Sequence, residues 1–168
     1  DNIDPRSDIL FAEVNGQPAG FVRLYHYVND DNEQIFVHNG SVLPAWLNAG
    51  LERALMAWAE TRAQQIAQTE PHAGPRFLQA WTFDVSPART ALLEQNGYSR
   101  IRYGFLMVRP LSEPIPELPL PAGIEVRPKL REHYRACWEA RNEAFRDHWG
   151  HREQTETDWQ SYQTWPDQ

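Results

Sequence analysis

The stretch Val42-Leu43-Pro44-Ala45-Trp46-Leu47-Asn48-Ala49-Gly50-Leu51-Glu52-Arg53-Ala54-Leu55 decides how this chain folds. Pro44 closes an extended run, because proline has no N–H to give a ladder. From Leu47 onward the period changes. Leu47, Leu51, Leu55, Trp58 and Ile66 return on one helical face, with Ala54, Ala59 and Ala63 beside them. Glu52, Arg53, Glu60, Arg62, Gln64 and Gln65 supply the polar surface. A strand leading into a long amphipathic helix is a mark of an α/β sheet.

Upstream, Asp8–Val14 and Ala19–Tyr25 are predicted strands around Asn15-Gly16, a dipeptide that tolerates positive φ at both central positions of a tight hairpin. After the polar turn Asn29–Glu33 a third strand is expected from Gln34 to Leu43, with Gly40 as a bulge. Downstream, Phe77–Phe83 reads as a short buried strand. Ser86-Pro87 opens a second helix with Ser86 as its cap, and Gly97 ends it. Tyr98–Val108 alternates Ile101, Tyr103, Phe105 and Met107 on one side, the pattern of a half-buried strand.

A composition break follows. Residues 110–122 are rich in proline and read as a stiff linker. Beyond it come a short strand, Ile124–Arg127, and a helix to about Phe145 with Tyr134, Cys137 and Trp138 on a common face. A loop, Asp147-His148-Trp149-Gly150-His151, leads to a capped last helix carrying Trp159, Tyr162 and Trp165. The order β-β-β-α-β-α-β, linker, β-α-α implies a mixed α/β sheet.

Composition narrows the function. The 168 residues carry 41% hydrophobic and 12% aromatic side chains, enough for a core, and a net charge of −7. Residues 1–112 hold 9 basic and 12 acidic groups and residues 113–168 hold 7 and 11, so neither part offers the basic surface that nucleic acid needs. No apolar run of about 18 residues is present, so no membrane span is expected. No export leader is visible, and Cys137 is the single cysteine. These features point to a reducing cytoplasm and exclude an internal disulfide. The first residue is Asp1, which leaves the natural start open. The two histidines and the aspartate of 147–151 lack the spacing of a zinc site, so no metal is expected.

The quoted stretch resembles the cofactor motif of the GCN5-related N-acetyltransferase (GNAT) superfamily, in which a strand ending Val-x-Pro leads into Arg-Gly-x-Gly-x-Gly/Ala and a helix. Residues 86–98 resemble that family's next helix, which usually ends Tyr-Glu-x-x-Gly-Phe. Residues 123–151 resemble the beginning of another such domain, as in tandem proteins of the mycothiol-synthase-like group. The resemblance implies the GNAT-like acyl-CoA N-acyltransferase fold. Residues 1–109 would be the later part of one domain, 110–122 the linker, and 123–168 the first strand and two helices of the next. That tail would complete the first domain in permuted order, or meet the remainder of the second domain or another copy of the chain.

The resemblance also implies acetyl transfer from acetyl-CoA to the amine of a small molecule or peptide. Val42, Gly50, Leu51 and Arg53 would touch the cofactor, its diphosphate lying on backbone N–H groups at the helix start. Gly50 alone is as well explained as a plain helix-entry glycine, and Arg53 as an exposed helix arginine. His148 and Trp149 would line an acceptor pocket in the second domain; the competing reading has Trp149 anchoring its loop and His148 bonding backbone. The motif departs from the family at four positions. Leu47 stands for the arginine, Asn48 for the first glycine and Glu52 for the last, and Leu93 takes the place of the usual acid tyrosine. A catalytically silent first domain follows as the expectation. The alternative is a non-enzymatic interaction module, with Trp46, Trp159 and Trp165 as its surface.

Overall fold

The structure is a computed structural model that describes residues 3–47 and 49–164; Asn48 and Trp165 lie outside the described residues. It contains two compact units, Asp1–Ser99 with Phe145–Glu153, and Arg100–Ala144 with Gln154–Gln168.

The first unit is built on a four-stranded sheet of order β1-β2-β3-β4. Strands β1 (Ile9–Val14) and β2 (Gln17–Val28) form the hairpin that Asn15-Gly16 predicts, with φ of 52° and 75° at the two turn residues. Strand β3 (Gln34–Val42) pairs antiparallel with β2 from Val28↔Gln34 to Gly20↔Val42 without a break. The bulge expected at Gly40 is therefore absent; the register shifts between Ala12 and Glu13 instead. Gly40 has another reason to be glycine. A Cβ there would meet the Phe21 carbonyl oxygen at 2.6 Å, so the small residue lets two backbones approach.

A 3-10 turn (Pro44–Trp46) leads to helix α1 (Leu51–Thr69), which begins later than its apolar period suggests. Strand β4 (Arg76–Ala80) then runs parallel to β3, from Gln34↔Arg76 to His38↔Ala80. It is shorter than the apolar run Phe77–Phe83 and only half-buried, because it pairs with β3 alone among the described residues. Helix α2 (Pro87–Gln95) follows. Ser86 holds its cap position without a side-chain hydrogen bond. At the other end Gly97 N–H donates to Glu94 and Tyr98 N–H to Leu93, the paired bonds that close a helix on a left-handed residue.

Helix α1 buries one face of the sheet. Leu55 and Ala59 meet Val22, and Ala63 and Ile66 meet Leu24 and Phe36. Burying each large side chain of this set contributes about 1.5–3 kcal/mol. Polar ties fix the ends. Gln34 donates to Glu70 at the end of α1, and Arg76 donates to the Gln34 side chain and the Glu70 carbonyl. Near the middle Arg62 donates to the buried carboxylate of Asp8 at 2.8 Å.

The second unit holds helices α3 (Tyr134–Ala144) and α4 (Glu156–Thr164). The capping box is formed: Thr155 and Asp158 each accept from the other's backbone N–H. Trp138 packs against Trp159 with ring centroids 5.5 Å apart, and the Arg135 guanidinium lies over both rings. Trp159 is thus spent on helix packing, and Trp46 is half-buried. Cys137 is half-buried rather than buried.

Two expected strands are not formed. Residues 98–108 and Ile124–Arg127 belong to no strand, so the tail adds none to the described sheet. Phe105 and Met107 are 87% and 85% exposed. Alternation supplies propensity, but a strand exists only through pairing and burial.

Removing the Arg62 guanidinium leaves the Asp8 carboxylate buried without its cation. Arg62→Ala is expected to cost about 1.5–3 kcal/mol, read as a lowered urea midpoint at unchanged m-value.

Candidate functional site

Pairing between β3 and β4 stops at His38↔Ala80, while β3 continues to Val42 on the β2 side. The two strands part there. The space beside the freed part of β3 is a cleft with about 30 Å³ of internal room, enough for one or two waters. Strand β3 gives it His38, Gly40, Ser41 and Val42. Helix α1 gives Glu52, Leu55 and Met56, and α2 gives Arg89, Leu92 and Leu93.

Gly50 sits at the N-cap of α1 with φ 84°, a left-handed conformation that costs an L side chain. A Cβ there would meet nothing within 4 Å. Glycine is thus required by the backbone at the helix entry, and the space in front of it is open. Of the other predicted cofactor residues, Val42 lines the cleft and Leu51 packs on the cluster of Val22, Leu55 and Ala59. Arg53 is exposed and does not line it.

His38 in the cleft wall belongs to a polar chain whose other members, Tyr98 and Glu60, are half-buried. His38 is 2% exposed, and its Nε2 lies 3.2 Å from the Tyr98 hydroxyl. Tyr98 also bonds the Glu60 side chain. A carboxylate only accepts, so Tyr98 donates to Glu60 and accepts from His38 Nε2–H. Burial pushes the Tyr98 phenol up, reinforced by the Glu60 charge and hydrogen bond. Burial, with the nearby Arg89 charge, pushes His38 down to about 4. Burial also lowers Arg89, whose Nε donates to the Trp81 carbonyl. His38 is therefore a neutral donor at pH 7.

Sequence reasoning missed His38, Glu60 and Arg89. Alternation with Phe36 places His38 on the inner face of β3, and that signal was available. Glu60 reads as helix surface, because nothing local shows Tyr98 arriving beside it from α2. Tyr98, expected as the first residue of a strand, instead bonds this polar chain.

The predicted acceptor residues lie in the segment 145–153. His148 is exposed and its Nδ1 lies 2.9 Å from the Trp149 backbone carbonyl; Trp149 is 50% exposed. The His151 side chain of this loop bonds a distant part of the chain, at Asp30. Among the described residues no group of three or more His, Cys, Asp or Glu could hold a metal ion, and no helix is long and apolar enough to cross a membrane.

A mixed open sheet whose parallel strands part beside a glycine-led helix defines an acyltransferase-like α/β fold. The model of the acetyltransferase (GNAT) family matches residues 1–98, and the chain belongs to that family. It is 34% identical over 147 residues to the mycothiol acetyltransferase of Salinispora tropica, covering 86% of this chain and 43% of the relative. It is 36% identical over 109 residues to the same-named protein of Salinispora arenicola, covering 64% of this chain and 32% of the relative. The chain thus spans a third to about two fifths of these curated relatives. Among solved structures, a GCN5-related N-acetyltransferase from Sphaerobacter thermophilus superposes with a TM-score of 0.63 at 23% identity, covering 92% of this chain and 47% of the other. That likeness establishes the fold.

His38 has a pH signature. Its folded value lies below its unfolded one, so its contribution is complete above about pH 6.5 and lost as the pH falls toward 4. Across that window the stability of the chain should fall by up to about 1.4 kcal/mol per pH unit from this group. His38→Gln should flatten that part of the profile of urea midpoints.

Proposed function

We propose that this chain is part of an N-acetyltransferase that moves an acetyl group from acetyl-CoA to the amine of a small acceptor. The activity for which the Salinispora relatives are named, mycothiol acetylation, is the leading candidate. Residues 1–109 are the later part of one GNAT domain, 110–122 a linker and 123–168 the start of a second. The first domain serves as scaffold, and the chemistry belongs to the sequence that corresponds to the remainder of the longer relatives. His148 and Trp149 belong to the second domain's acceptor side in this scheme.

Glu52 is the observation that carries the scaffold role. It stands in the first turn of α1 and lines the cleft. A helix N-terminus attracts one anionic group readily. A diphosphate arriving there would share that end with a carboxylate, and like charges disfavour it. The residues at this end do not fit a diphosphate. Leu47 supplies no cation, and Leu93, buried beside the cleft, offers no acidic proton to a leaving thiolate. The opening between β3 and β4 favours a second reading, a working cofactor cleft with a divergent motif.

Calorimetric titration with acetyl-CoA separates the two. The scaffold role predicts no binding up to about 1 mM, with the chain shown folded by circular dichroism. The double substitution Leu47→Arg with Glu52→Gly should then raise affinity by about tenfold or more, equivalent to about 1.4 kcal/mol. Micromolar binding by the unaltered chain would establish the working cleft and overturn the scaffold role.

A further inference from the structure

The β2–β3 turn is ordered by its own bonds. Asn29 Oδ1 accepts from the Glu33 N–H at 2.8 Å, and Asn29 Nδ2 donates to the Glu33 carboxylate at 2.8 Å. Backbone bonds from Asn29 to Glu33 and from Asn32 to Asn29 close the loop. Asn29 is 8% exposed, so the frame of the turn is set before anything binds to it. The segment 145–153 is ordered in the same way, by two successive turns, His148 N–H to Phe145 and His151 N–H to His148.

One aspartate joins these two preformed loops. Asp30 Oδ2 lies 2.5 Å from His151 Nδ1, and Asp30 Oδ1 accepts from the Glu153 N–H at 2.9 Å. The Asp30 N–H donates to the His151 carbonyl at 3.0 Å. Both carboxylate oxygens and the amide of one residue are committed to a segment more than a hundred positions away. Nearby, Gly150 lies next to the Tyr27 hydroxyl, and Arg152 is close enough to act on the Tyr27 phenol.

We propose that Asp30 and His151 form a pH-gated clasp that fastens the segment 145–153 to the β2–β3 turn. The clasp is tightest while the Asp30 carboxylate is ionised, because a charged acceptor holds the His151 ring N–H and the Glu153 amide more strongly than a neutral one. The other charged and titratable groups of the two loops are Asp31 and Glu33 on the turn and Arg146, Asp147, His148, Arg152 and Glu153 on the segment, with Arg152 acting on the Tyr27 phenol. The His151 hydrogen bond holds the Asp30 carboxyl below the usual carboxylate range, so the gate lies in acid.

Hydrogen exchange on the 168-residue chain tests this, with rates corrected for intrinsic chemistry and the Val37 amide as the marker of a folded sheet. At pH 6 Asp30→Asn should speed exchange at Glu153 by about tenfold or more, because a charged acceptor is lost, and leave Val37 unchanged. In the unaltered chain protection at Glu153 should fall as the pH is lowered through the titration of the Asp30 carboxyl, and Asp30→Asn should remove that fall. Equal Glu153 protection in Asp30→Asn and the unaltered chain would overturn the clasp. A Glu153 acid profile unmoved by Asp30→Asn would overturn its gating.

Discussion

Parallel pairing of β3 with β4 lasts for five residues and then ends, and the rest of the candidate site depends on that interruption. Pairing carried on to Val42 would leave no room beside Gly40 and Ser41. The ending has two causes on the page. Strand β4 stops at Ala80 as the chain turns toward α2, and α2 brings Arg89, Leu92 and Leu93 into the gap. Strand β3 is held straight meanwhile by an unbroken antiparallel ladder to β2, made possible by the close approach at Gly40. The cleft is therefore the space between a strand that is held and one that leaves.

Electrostatics inside that space combine opposing demands. The first turn of α1 favours an anion and already has Glu52. Arg89 enters the same cleft from α2 against the cost of its own desolvation. Behind them the Glu60–Tyr98–His38 chain satisfies buried His38 with a neighbour rather than with water.

Much of the fold was legible because local signals and long-range packing agreed. Asn15-Gly16 fixed its hairpin, Thr155 and Asp158 their cap, and the period of Leu51, Leu55, Ala59 and Ile66 the buried face of α1. The failures share a cause. Residues 98–108 and Ile124–Arg127 have the alternation of strands, yet pairing partners are not written in a strand's own sequence. The reading of Gly50 as a helix-entry glycine has its physical reason in the left-handed backbone there. Glu60 and Arg89 were not legible at the site, since each takes its meaning from a residue of another element. His148 drew attention through the family resemblance, which sets its loop beside an acceptor, whereas His151 is the one that reaches Asp30.

The Asp30–His151 contact also has a consequence for how the chain folds. It joins positions 121 residues apart. Closing a loop of that length costs about 4 kcal/mol in chain entropy, beyond a length-independent term. The bonds it returns are few and lie at the surface, so they cannot repay that cost in a chain still disordered between them. The hairpin of β1 and β2 and the β3–α1–β4 crossover close far shorter loops and bury apolar area as they do. The junction at Asp30 is thus a late event in folding and an early one to be undone. The segment 145–153 joins the first unit only after the surface that receives it has already formed.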